Sequence, residues 1–219
     1  TSKEEGEKGK IEEEMGEVTD YLKEIEVRGI DVSESYKILD SARAALKDRD
    51  FDKASDLMKD ARRLGEETYR NHVIQTLGEV RDILEDAKST GADVSQAFEI
   101  YEKAKSAMDS GAYSQSLEHL TVASELAKRL KDEYLAKSIA AKAEEFINST
   151  EKIVRETSKT LGIDVKDALS LVKKAKDALK KKDFVKVQEL CTDARATVDR
   201  LKKDVLKERA QSVISDVEK

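Results

Sequence analysis

The sequence predicts an all-α fold, built as an elongated tandem array of three three-helix bundles joined by continuous long helices. Three observations predict it. First, the 219 residues include no Pro and no Trp, and 40 % of them are charged. A long chain rich in Ala, Glu, Lys, Leu and Arg with no helix breaker reads as long helices. Second, a segment of more than thirty residues recurs three times without a gap. Third, the apolar period of 3–4 residues runs through the joins between these repeats.

The repeats start at Gly29, Gly91 and Gly162, which are 62 and 71 residues apart. The identical or near-identical columns are Asp31/Asp93/Asp164, Val32/Val94/Val165, Ala42/Ala104/Ala175, Ala45/Ala107/Ala178 and Leu46/Met108/Leu179. They continue with Phe51/Tyr113/Phe184 and Ala61/Ala123/Ala194. Repeats at such periods mark architectures in which each unit packs on its neighbour.

A helix leads up to Gly29. The Gly stops it, because the chain must turn through a left-handed conformation that a Cβ disfavours. Asp31 then caps a new, short helix by accepting backbone N–H bonds. Glu34, Gln96 and Asp167 stand three residues after their Asp, a capping-box spacing. In the second repeat Ala97, Ile100, Tyr101, Ala104, Ala107 and Met108 form one face of this short helix. It ends at Lys47–Asp50 in the first repeat, at Asp109–Ala112 in the second and at Lys180–Asp183 in the third. The next helix opens at the aromatic, with Phe51, Ala54, Leu57, Met58, Ala61 and Leu64 on one face. Nothing stops it before residue 89. Gly65 and Gly78 are isolated and cost about 1 kcal/mol each, which weakens a helix without ending it. The period carries on through Val73, Leu77, Val80, Leu84 and Ala87. A second unbroken run over 113–160 includes Leu126, Leu130, Ile139, Phe146, Ile147, Ile153 and Val154. A last helix begins near 184. The expected divisions are 8–70, 71–134 and 135–205 for the three repeats, with 206–219 as a helical extension.

Two tight turns bracket each short helix, so it runs antiparallel to both neighbours. Summing the helical rises gives a rod on the order of 135 Å at about 1.5 Å per residue. The nine extra residues before the third repeat add about two and a half turns. The apolar stripe also slips by one position there, so a bend or hinge is expected at this junction. This arrangement resembles the spectrin repeat, whose tandem three-helix bundles share continuous linker helices; the resemblance implies a rod-like scaffold. The hairpin positions Phe51, Ala54, Met58 and Ala61 look like the turn and second helix of a tetratricopeptide repeat. So do Tyr113, Ser116, Leu120 and Ala123, and Phe184, Val187, Cys191 and Ala194. Small three-helix modules that bind peptide helices share this hairpin, which implies a partner-binding groove as the alternative.

Signals for chemistry are sparse. There are two His and one Cys, so neither a disulfide framework nor a Cys-based zinc site can be built within the chain. His119 aligns with Leu57 and Leu190 and reads as a core histidine, with a pH-sensitive packing switch as the sharper reading. His72 is expected to be exposed in mid-helix. Cys191 aligns with Met58 and Leu120 and reads as a small core hydrophobe rather than a nucleophile. No phosphate-cradling Gly motif occurs. No Glu-x-x-His pair of a di-iron bundle occurs either, since Tyr69 and Ser116 precede the two His by three. No catalytic, cofactor or metal residues are assigned, and no small-molecule substrate is expected.

Charge is uneven. Residues 1–28 carry five basic and ten acidic side chains, whereas 151–219 carry eighteen and thirteen. The one cluster above background is Lys173, Lys176, Lys180, Lys181, Lys182 and Lys186, a candidate interaction patch. Its occupants would be phosphates of nucleic acid or of a membrane surface. Interleaved Asp167, Asp177 and Asp183, and the lack of aromatics for base stacking, favour a solvated face instead. A third option is end-to-end self-association with the acidic helix around Glu4, Glu5, Glu7 and Glu12–Glu14. The expected function is thus a non-catalytic spacer or protein-interaction platform, with other proteins as partners. No secretory leader opens the chain and no apolar run is long enough for a bilayer, so a cytoplasmic location is expected. The first residue is Thr1 and the last helix has no stop before Lys219. Both suggest a segment of a longer array.

Overall fold

A computed structural model describes the backbone of residues 2–217 and the side chains of residues 4–216. Thr1 and the expected run of the last helix to Lys219 lie outside those residues. The described residues form seven α-helices and no strand: α1 (Ser2–Val27), α2 (Ser33–Lys47), α3 (Phe51–Ser89), α4 (Ser95–Asp109), α5 (Tyr113–Leu161), α6 (Lys166–Lys180) and α7 (Phe184–Val217). None is long and apolar enough to cross a membrane. The helices fall into two compact units, residues 1–131 and 132–219.

The stops are where the glycines stand. Gly29, Gly91 and Gly162 have φ of 80°, 99° and 68°, the left-handed region in which a Cβ is strained. The starts differ from expectation. Asp31, Asp93 and Asp164 each accept from the N–H two residues on, in Ser33, Ser95 and Lys166, at 2.9, 3.1 and 3.0 Å. These are Asx-type turns, not caps of the second or third helical N–H. The residue in between, Val32, Val94 or Val165, occupies the cap position and makes no side-chain cap bond. All three valines are buried, and that burial sets the Asp one step further from the helix. The capping-box partner is displaced with it: Glu34 instead pairs with Lys37 at 2.6 Å.

The second turn repeats a pattern of its own. Asp50, Ala112 and Asp183 donate their N–H to the carbonyls of Ala45, Ala107 and Ala178 at 3.0, 2.8 and 3.0 Å. The residues before them donate to Leu46, Met108 and Leu179. This is the Schellman ending of a helix. It requires a left-handed residue, which is Gly111 in the second repeat but Arg49 (φ 61°) and Lys182 (φ 59°) in the others. Asp50 and Asp183 then cap the next helix through Lys53 and Lys186, at 3.2 and 3.0 Å.

In the unit of residues 1–131, α1, α2 and α3 pack on one another pairwise, and α4 packs on α3. The buried Ser116 of α5 donates to the Ala104 carbonyl of α4 at 2.8 Å, and Tyr113 of α5 meets Tyr69 of α3 at 5.4 Å between ring centroids. α3 passes unbroken through Gly65 and Gly78. Its first half buries Ala54, Met58 and Ala61, and its second half buries Val73, Leu77, Val80 and Leu84. Gly65 has a packing reason: a Cβ there would lie 2.4 Å from Leu22 Cδ2, whereas one at Gly78 would meet nothing. One continuous core runs from Ile11 to Ala127.

The unit of residues 132–219 has its own core around Ile147, Val154, Val172, Val187, Cys191 and Val198. Here α5 departs from the expected stripe. Ile139 and Ile153 are exposed, and Thr150 and Thr157 are buried. Thr150 has a partner: Arg195 donates Nε to Thr150 Oγ1 at 2.9 Å and a terminal nitrogen to Ser149 Oγ at 2.7 Å. Its guanidinium also lies 4.6 Å from the Phe146 ring centre, a cation–π contact. Between Ala127 and Ile147 no α5 side chain is buried.

Candidate interaction site

The lysine patch belongs to α6, the turn after it and the first turn of α7. α6 buries Ala168, Val172, Ala175 and Ala178. This spacing directs Lys173, Lys176 and Lys180 outward, and they are exposed, as are Lys181, Lys182 and Lys186. Half of the six are engaged. Lys176 binds Glu151 of α5, which also accepts from Arg155 at 3.0 and 2.7 Å. These two cations, Lys176 first, hold the Glu151 carboxyl below the usual carboxylate range. Lys180 stands 3.4 Å from Asp177, and Lys186 2.9 Å from Glu189. Lys173, Lys181 and Lys182 have no ion pair among the described residues. All six lysines are thus exposed, but ion pairs take up three of them and halve the charge available to a phosphate. Exposed pairs of this kind contribute about 0–1 kcal/mol each and break readily.

Sequence reasoning did not find a cleft of about 700 Å³ between the start of α1 and the α2–α3 turn. Glu5 and Glu12 of α1, Arg43 and Leu46 of α2, Arg49 of the turn and Phe51 of α3 are among the residues lining it. A lining that mixes both charges with apolar side chains suits an amphipathic segment better than a simple anion. No local motif encodes it, because its walls come from three separate helices.

The histidines and the cysteine offer little. His119 is half-buried, beside Glu99, Glu102 and Lys103 in a shallow groove. His72 is half-buried rather than exposed. Cys191 is buried, and burial pushes its thiol up, away from the reactive thiolate. Among the described residues no group of three His, Cys, Asp or Glu side chains is disposed to hold a metal ion.

These features define an all-α protein whose seven described helices pack against each other, with three copies of one helical hairpin in its sequence. In comparisons with protein-family models, curated proteins and solved structures, nothing matches the chain.

Proposed function

We propose that the chain is a non-catalytic helical spacer and protein-interaction scaffold, built as a spectrin-like tandem of three-helix bundles and working in the cytoplasm. One observation carries the reading. α3 is a single helix of 39 residues whose first half buries against α1 and α2 and whose second half packs with α4. A helix shared between successive packing groups fixes their separation at about 1.5 Å per residue. Loops would leave that distance free.

Small-angle scattering of the full chain tests the proposal. The spacer predicts a maximum dimension on the order of 135 Å from helical rise. A radius of gyration near 17 Å, that of a compact globule of this length, overturns it.

A further inference from the structure

The start of α5 differs from the starts of α3 and α7 in what meets its first-turn N–H groups. Asp50 and Asp183 stand just before α3 and α7, and each carboxylate accepts from a first-turn N–H, that of Lys53 or Lys186. The same column before α5 holds Ala112, whose methyl group accepts nothing. Tyr113 donates its N–H to the Gly111 carbonyl and Ser116 to that of Ala112. The N–H groups of Ser114 and Gln115 between them have no acceptor among the described residues. They form the positive end of the α5 dipole.

A second, independent observation lies against this turn. Tyr69 of α3 is 2 % exposed, and its hydroxyl has no hydrogen-bond partner. A buried O–H without an acceptor is unfavourable. Tyr69 lines a cleft of about 230 Å³ together with Tyr21 and Glu24 of α1 and residues 111–115. All of them belong to the unit of residues 1–131. The space is several times the roughly 30 Å³ that a water occupies in the liquid. The groups that act on the Tyr69 hydroxyl are Arg28, Ser114, Glu24 and Glu118. Glu24 and Ser114 line the cleft, and Arg28 donates to the Ser114 hydroxyl. Burial pushes the Tyr69 hydroxyl up, so it keeps its proton and can donate at ordinary pH.

Three unpaired donors thus border one space, with the Arg28 guanidinium held at its edge. Glu24 and Glu118 oppose an anion. Each lies 3.9 Å from Arg28, and each side chain is more than half exposed, so water screens it. Together they penalise a dianion more than a monoanion. The groups that the chain itself places at this column are carboxylates as well.

We infer that the cleft at the start of α5 binds a carboxylate group. It accepts from the Gln115 N–H, as Asp50 and Asp183 accept from Lys53 and Lys186, and from the Tyr69 O–H. The carboxylate belongs to a small free acid or to the acidic side chain of a peptide, and the two share one chemistry. This goes beyond the spacer reading and does not depend on it.

The test follows the amide signals of Ser114 and Gln115 by NMR as sodium acetate is added to the full chain. Sodium chloride at matched ionic strength is the reference. Saturable shifts are expected at about millimolar acetate. Tyr69→Phe should weaken binding roughly two- to tenfold, the worth of one hydrogen bond, with no fall in thermal midpoint, because only an unpaired hydroxyl is removed. Ala112→Asp should supply the carboxylate from within, raising the thermal midpoint and abolishing the acetate response. Shifts that acetate and chloride produce alike overturn the inference, and so does undiminished acetate binding by either variant. An end-blocked Gly-Glu-Gly peptide that saturates the same signals at lower concentration than acetate assigns the site to a peptide side chain. Tighter binding of acetate assigns it to a free acid.

Discussion

Arg49 and Lys182 hold a backbone conformation that glycine adopts freely. A left-handed residue with a Cβ costs roughly 1–2 kcal/mol, partly offset by the greater freedom glycine brings to the unfolded chain. Replacing either with glycine should therefore stabilise its unit by about 0.5–1 kcal/mol, read as a higher denaturant midpoint. Gly111→Ala, at the same column, should move the midpoint the other way. Equal midpoints for all three variants would show that the turn is not left-handed in solution. The sequence pointed to a turn at this column through the polar clusters, and Gly111 hinted at its hand. The other two repeats concealed it, because Schellman bonds to Ala45 and Ala178 hold the conformation without help from the residue type. The Asp columns were legible as helix-start signals. Their bonding pattern was not, since it depends on whether the next Val is buried.

Helix existence and length were legible almost throughout. The first long helix was expected over 52–89 and runs Phe51–Ser89; the next, expected over 113–160, runs Tyr113–Leu161. Absence of Pro and persistence of the apolar period are enough to decide such elements. What each glycine inside them does was not legible. Gly78 touches nothing, so Gly78→Ala should stabilise α3 by about 1 kcal/mol through helix propensity alone. Gly65→Ala gains the same propensity but drives a methyl into the fully buried Leu22, and overpacking costs about 1–3 kcal/mol. The expected pair is one rise and one fall in thermal midpoint, a few degrees each. The buried Thr150 and Thr157 were missed for a related reason. Arg195, the partner of Thr150, lies 45 residues away, and no local pattern links them. The lysine cluster was visible as a run, but Glu151, which takes up Lys176, stands 25 residues away.

The molecule as a whole should lose stability in acid. Asp31, Asp93 and Asp164 are held below the usual carboxylate range, by the Ser33 and Lys166 backbone N–H at the first and third and chiefly by the Ser95 hydroxyl at the second. Glu151 is held low by Lys176 and Arg155. A carboxylate with a depressed folded pKa stabilises fully above its unfolded value and loses that contribution as pH falls through the folded value. The midpoint should thus hold above about pH 5 and drop below about pH 4. Glu151→Gln should flatten the drop in the 132–219 unit and leave the other unit's unchanged; thermal melts across that range decide it. At the alkaline end Tyr21, pushed up to about 12 by burial and then by Glu66, should cost stability as pH rises past about 10.

The stretch of α5 over residues 132–142 has a consequence for proteolysis. No side chain there is buried or packs against either core. Local fraying should open this stretch long before either core unfolds. Brief trypsin digestion should cut first at Lys137 or Lys142. It should leave two resistant fragments, one retaining the cluster of Leu22, Leu39 and Leu84, the other that of Ile147, Val172 and Val198. Early cleavage inside α3 instead would mean that the weak point of the chain lies elsewhere.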